Sequence, residues 1–168
     1  MYSEAYGIDI GKNNFCIVKV AIHKVSGERS LMACRVYRLG LSGRVDIASD
    51  LYNAMEDFLS KHGAPLEFTT PIYIEQQNSH WRHILFGCQV AAYALGMKHV
   101  HVVSSKAKYK CIPDCPPLKD ITYRARKKVA VNYLSTIDGA AAMCDTYTKK
   151  DDIADAVLVG LQGLLSKQ

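Results

Sequence analysis

The sequence has no apolar run of roughly 20 residues, the length that would cross a bilayer. Its N-terminus, Met1-Tyr2-Ser3-Glu4-Ala5-Tyr6, has neither a basic segment nor an apolar one, so no secretory signal is read there. That stretch is acidic rather than arginine-rich, which argues against a mitochondrial presequence. There is no internal repeat, no low-complexity segment and no long linker. No Ser/His/Asp or Cys/His catalytic set presents itself. What remains is a chain of 168 residues, 49% apolar and 22% charged, which suits one globular domain over residues 1–168. Of its six cysteines, four lie inside apolar stretches. Reduced, buried thiols in an intracellular, reducing compartment are the ordinary reading.

The formal net charge of +5 is unevenly spread. From Lys98 to Lys128 there are nine basic residues and two acids, a balance of +7 that leaves −2 for the rest of the chain. Such a block points to a polyanionic partner, the alternative being a solvated helix face and a polar loop.

Periodicity places the elements. Tyr6–Gly11, Phe15–His23 and Leu31–Leu39 read as three strands joined by short turns, an antiparallel meander. Val45, Ile47, Leu51, Met55 and Phe58 then fall at helical spacing and predict a helix over 45–61. Ile72–Ile74 is a short strand ending at Glu75, and Asn78 or Ser79 caps a helix from His80 to Leu95. His99–Val103 is a fifth strand. With three prolines and two cysteines, 104–121 reads as a loop. Helices follow over Tyr123–Ile137 and Asp152–Leu165. This order predicts an α/β fold: a mixed five-stranded sheet, three antiparallel strands then two parallel ones, with helices on both faces.

Four acids hold special places in that order. Asp9 lies in the first strand between Ile8 and Ile10, although Asp is disfavoured in strands. Glu75 ends the fourth strand, and Asp152 and Asp155 share one face at the start of the last helix. Acids at a helix start most often cap it and oppose its dipole. An Asp buried between isoleucines needs another reason. The first and fourth strands are neighbours in such a sheet, so the four carboxylates can converge. Acids that close raise one another's pKa unless a cation intervenes. Hard oxygen donors suit Mg2+, with Mn2+ able to substitute. Two such ions activate water and stabilise the leaving oxygen in phosphodiester hydrolysis.

Ile8-Asp9-Ile10-Gly11-Lys12-Asn13-Asn14, Ile74-Glu75, Tyr123-Arg124-Ala125-Arg126-Lys127-Lys128 and Lys150-Asp151-Asp152-Ile153-Ala154-Asp155 together resemble the ribonuclease H-like superfamily. Within it they resemble the RuvC-type Holliday junction resolvases, above all those of poxviruses and related large DNA viruses. The resemblance runs over nearly the whole chain, although the 104–121 loop is longer than it implies. It implies a magnesium-dependent homodimer that cuts four-way DNA junctions by paired symmetrical nicks, leaving 5′-phosphate and 3′-hydroxyl ends. No membrane and no small-molecule cofactor are implied, and a viral protein of this kind would work in the host cytoplasm or the virion. Asp9, Glu75, Asp152 and Asp155 take the metal-ligand positions, and Lys127 or Lys128 takes the place of a basic residue beside the metals. The helix 80–95 is the expected dimer interface.

Further residues follow from position. Arg124, Arg126 and Lys128 are expected to contact phosphates, which gives affinity without sequence readout. Lys106, Lys108 and Lys110 alternate as on an extended segment, lining the same DNA surface or a solvated loop. Trp81, close after Glu75, suits a dimer contact or an exposed base. Cys111 and Cys115, with His99 and His101 upstream, are loosely spaced for zinc, and alternating strand histidines face opposite ways. Three rivals share parts of this pattern. An actin-like ATPase needs a second domain and a second phosphate loop. A ribonuclease H would cut RNA–DNA hybrids. A binding module on the same fold would not need the acids.

Overall fold

A computed structural model describes residues 1–40, 46–63 and 69–167. Five strands form one sheet in the order β3-β2-β1-β4-β5. β1 (Tyr2–Ile10), β2 (Asn14–His23) and β3 (Arg29–Arg38) make the antiparallel meander. β4 (Ile72–Glu75) runs parallel to β1, and β5 (Val100–Val103) runs parallel to β4. This is the mixed sheet that the sequence predicts. β1 and β3 begin earlier than predicted, because ladder pairing to β2 carries them down to Tyr2 and Arg29.

The two faces of the sheet have different coverings. On one lie α1 (Ile47–His62) and α2 (Arg82–Ala94), packed on Tyr6, Ile8, Ile10, Phe15, Ile17, Ile72 and Ile74. Ile47, Leu51, Met55 and Phe58 form the buried stripe of α1, and Asp46 caps that helix by accepting from the Ser49 amide at 3.0 Å. Val45, where the helix was predicted to begin, is outside the described residues. The predicted helix at His80 opens instead as a 3-10 turn over Ser79–Trp81, and Asn78 makes no side-chain cap.

On the other face lie α3 (Tyr123–Leu134), α4 (Ala140–Cys144) and α5 (Lys150–Leu165). α5 is the central element. It is buried without interruption from Ile153 to Leu161, which its nearly all-apolar sequence permits. Two glycines set how closely it approaches. A Cβ on Gly7 of β1 would stand 2.1 Å from the Ala156 carbonyl oxygen, and one on Gly160 would stand 2.8 Å from Val20. Backbone therefore rests on backbone, and the N-terminal turn of α5 is pressed against the end of β1.

Two expectations change here. The predicted helix over 123–137 ends at Leu134, and a short helix, α4, follows the Asp138-Gly139 stop. Gly139, with φ of +77°, stands at the N-cap of α4. The 104–121 segment is no open loop, because 3-10 turns form at Ala107–Cys111 and Leu118–Asp120. Lys108, Tyr109 and Cys111 of the first turn are buried against α5. No helix among the described residues is long and apolar enough to cross a membrane.

Candidate active site

The sheet and α5 bring three of the four predicted acids together. Asp9 is the last but one residue of β1, and Glu75 is the last of β4. Pairing of Ile8 with Ile74 puts these two carboxylates side by side. Asp155 comes from the second turn of α5, which the Gly7–Gly160 contact holds against the sheet. One oxygen from each of Asp9, Glu75 and Asp155 lies within 4.8 Å of the others. Among the described residues no other set of three His, Cys, Asp or Glu side chains converges in this way.

Asp152 lines the same cavity but holds a different partner. Its Oδ2 accepts from Asn14 Nδ2 at 2.8 Å, which ties the start of α5 to the β1–β2 turn. That cavity measures about 470 Å³. Its walls include the four acids, Tyr109, Lys106, Lys108 and the first turn of α3 through Tyr123, Arg126 and Lys127. A larger opening of about 960 Å³, between the β2–β3 turn and the end of α3, contains none of the four acids.

The electrostatics are those of crowded acids held by lysines. Burial pushes the Asp9 carboxyl well above the usual carboxylate range, and the charges of Glu75 and Asp155 push it further. Lys108 offsets part of this. Its ammonium donates to Glu75 Oε2 at 2.8 Å and stands 2.9 Å from Asp155 Oδ1. Burial alone would lower the Lys108 pKa, but Asp155, Glu75 and Asp9 together hold it above its ordinary value. Lys127 donates to Asp155 Oδ2, lies 3.5 Å from Asp151, and is likewise held charged against the cost of its burial.

Lys108 therefore corrects an expectation. It was grouped with Lys106 and Lys110 as a lysine of the DNA surface, yet it is 4% exposed, while both neighbours are exposed. The reason is the 3-10 turn, which rotates alternate residues away from the common face that an extended segment would give them. Lys106 stays at the cavity rim. Arg124 and Lys128 are exposed on α3, and Arg126 is half-buried. The Arg126 guanidinium lies 6.0 Å from the Tyr123 ring centre, and its buried Nε has no hydrogen-bond partner. α3 is capped by Thr122, which accepts from the Ala125 amide at 3.2 Å.

Other sequence candidates fall elsewhere. Trp81 packs on the α1–α2 side and makes an edge contact with His80. His101 stacks on Tyr73, and Cys111 donates to the Lys108 carbonyl, so neither contributes to a zinc set. All six thiols are free. Sequence reasoning missed the Asn14–Asp152 bond and the place of Lys108 between two acids. A polar residue that repeats the turn asparagine was the available signal for the first. The second left no local signal, because the acids that hold Lys108 are distant in sequence.

The donor set fits a hard divalent cation. It offers three carboxylates, with a fourth nearby, and the two cations among them are ammonium groups that the chain itself supplies.

Comparison with known proteins gives the same arrangement a context. A family model described as "Poxvirus A22 protein" matches residues 5–167. No curated protein sequence matches the chain significantly. Among solved structures the chain is similar to RuvC of Thermus thermophilus, at 14% identity, with 98% of this chain and 95% of that one covered and a TM-score of 0.68. It is similar to the Holliday junction resolvase of fowlpox virus, at 17% identity, 98% and 99% coverage and a TM-score of 0.63. It is also similar to the fowlpox resolvase solved with Holliday junction DNA, at 18% identity, 98% coverage of each chain and a TM-score of 0.59. At these identities the likeness shows the fold, a RuvC-type α/β sheet wrapped by helices.

Proposed function

This chain belongs to the poxvirus A22 protein family, and from that premise we propose that it is a structure-selective endonuclease that resolves four-way DNA junctions. The observation that carries the proposal is the convergence of Asp9, Glu75 and Asp155 within 4.8 Å, beside the basic first turn of α3. Residues 1–168 act as one nuclease domain. The solved relatives named for Holliday junctions and for RuvC share its fold.

Asp9, Glu75 and Asp155, with Asp152, would hold magnesium, or manganese in its place, as two ions per site. When bound, such ions supply Lewis-acid stabilisation of the phosphate and a more nucleophilic water at neutral pH. The chain does the rest. Arg124, Arg126 and Lys128 hold the DNA by phosphates. Lys127, kept charged by Asp155, orients a non-bridging oxygen of the scissile phosphate. Asn14 fixes Asp152. Lys108 offsets the charge of Glu75 and Asp155 before metal and DNA arrive. Water attacks phosphorus in line with the bond to O3′. That bond breaks, O3′ takes a proton, and the phosphate remains on the 5′ end.

One chain carries one acid cluster, whereas a junction offers two equivalent strands, so a two-fold homodimer is the matching assembly. Phe86, Val90 and Tyr93 support α2 as its interface. They lie along one side of that helix and are 68%, 41% and 57% exposed. Free thiols suit the reducing host cytoplasm.

The test is a panel of labelled four-way junction, duplex, single strand and RNA–DNA hybrid, each with magnesium and with EDTA. Paired symmetrical nicks in the junction alone, lost in EDTA, are expected. Cutting confined to the hybrid would make the protein a ribonuclease H, and tight binding without cutting would make it a binding module. Replacing Arg124 and Arg126 with Ala should weaken junction binding and reduce its salt slope by about 2. Unchanged binding at every salt concentration would remove both residues from the interface.

A further inference from the structure

A second cavity, of about 460 Å³, opens beside the carboxylates. It is built entirely from residues 104–118. Tyr109, Pro116, Pro117 and Leu118 give it apolar walls. Lys106 and Lys110, both exposed, give it two cations, and no acid lines it. Lys106 and Tyr109 also line the carboxylate cavity, so the two spaces share a wall. The Lys108 ammonium that reaches Glu75 sits 5.6 Å from the centre of the Tyr109 ring, which fixes that wall to the acid cluster.

We propose that this cavity receives one unpaired nucleotide of the DNA at the branch point, its base against Pro116, Pro117 and Leu118 and its phosphates on Lys106 and Lys110. The inference rests on the junction-resolving function above and adds to it a way of telling a branch from a continuous duplex. Several observations select this occupant. The volume falls in the range of about 300–1,000 Å³ typical of small-ligand pockets, far too small for a duplex. Flat apolar walls accept the face of any base without sequence readout. Cations without acids at the rim suit the sugar-phosphate backbone and disfavour an acidic or neutral apolar peptide. Continuity with the carboxylate cavity means that a strand lying across the acids passes this opening within a nucleotide or so. A base inside a continuous duplex shows only its edges there. A base at the exchange point, where stacking is interrupted, can turn its face in.

Cys115 makes the proposal measurable without a mutation. It lines this cavity and is partly exposed, whereas Cys16, Cys88, Cys111 and Cys144 are buried. The intact protein is treated with N-ethylmaleimide in EDTA, alone, with four-way junction, or with duplex of the same sequence. Gel shift confirms that each DNA is bound, and alkylation at Cys115 is followed by peptide mass spectrometry. Cys34, also partly exposed but on β3, serves as the internal reference. Bound junction should slow Cys115 alkylation at least about tenfold, with duplex and Cys34 unaffected. A parallel arm places 2-aminopurine at each nucleotide near the crossover. One position should change emission on binding, and Cys115→Trp, which fills the cavity, should abolish that change even at protein concentrations that shift all of the junction.

Bound junction with Cys115 alkylated at its free rate would overturn the pocket and leave the endonuclease reading standing. So would equal protection by duplex, or a 2-aminopurine change that survives Cys115→Trp. A protein that shifts no junction at all would overturn both.

Discussion

The two faces of the sheet solve opposite problems. Toward α1 and α2, β1 presents Tyr6, Ile8 and Ile10, and the space is filled by Phe15, Leu51, Met55 and Phe58. Among the described residues, the buried cation on that side, Lys19, pairs with the partly exposed Glu4 at 2.8 Å. Toward α5, the same strand presents Ala5, Gly7 and Asp9. There the chain gives up side-chain volume at Gly7 and Gly160, and it buries Glu75, Asp155 and Lys108. One face is packed for cohesion. The other brings like charges together at a cost in stability and recovers part of it through two lysines.

The largest separation of the two faces should come from Asp9→Asn. Cutting of the junction in magnesium is expected to fall on the order of 10³-fold or more, with binding retained. A variant that cuts at the wild-type rate would remove Asp9 from the metal site. Phe58→Ala tests the other face. It should lower the unfolding free energy by about 3–5 kcal/mol in urea titration, while the protein that remains folded cuts at the normal rate. A drop in specific activity comparable to that of Asp9→Asn would mean the faces are not separable. A third comparison sets one buried lysine against the other. Lys108→Met leaves the acids without their counter-charge and should cost about 3 kcal/mol in EDTA, much of it restored by millimolar magnesium. Lys19→Met, whose partner is partly exposed, should cost about 1 kcal/mol or less and be indifferent to magnesium. Equal losses, or equal rescue, would contradict the division drawn here.

The same division explains what could be read from the sequence. Asp9 between two isoleucines breaks a strand pattern, so it announced itself. Glu75 was legible because it ends a short apolar strand, and Asp155 because it shares a face with Asp152 at the start of the last helix. Strand order followed from short turns and helical crossovers. Lys108 was not legible. Its neighbours Lys106 and Lys110 are exposed, and three alternating lysines among prolines read as a solvated surface. Its burial depends on acids 33 and 47 positions away, which no local window contains. Asn14 looked like a turn residue because the acid it holds is 138 positions distant. α4 is five residues long, too short to carry a period. The basic segment of the chain is also less of a surface than its charge suggests, since Lys108 and Lys127 are both engaged with Asp155.

The smallest effect expected is on stability against pH, and its sign distinguishes the two faces. Asp9 titrates well above the ordinary carboxylate range in the folded chain, because of burial and then of Glu75 and Asp155. Between the unfolded value near 4 and the folded value, the folded state binds the Asp9 proton more tightly than the unfolded chain does. In EDTA, wild-type stability should therefore fall as pH rises through that window and level off above it. Asn at position 9 mimics the protonated group and has no such window. Asp9→Asn should match wild type near pH 4 and exceed it at neutral pH, measured by urea unfolding. Magnesium should reverse the order, because only the carboxylate gains from the ion. If wild type were the more stable protein at neutral pH in EDTA, Lys108 and Lys127 would have to over-compensate the acids. The α5 face would then be a source of cohesion like its counterpart.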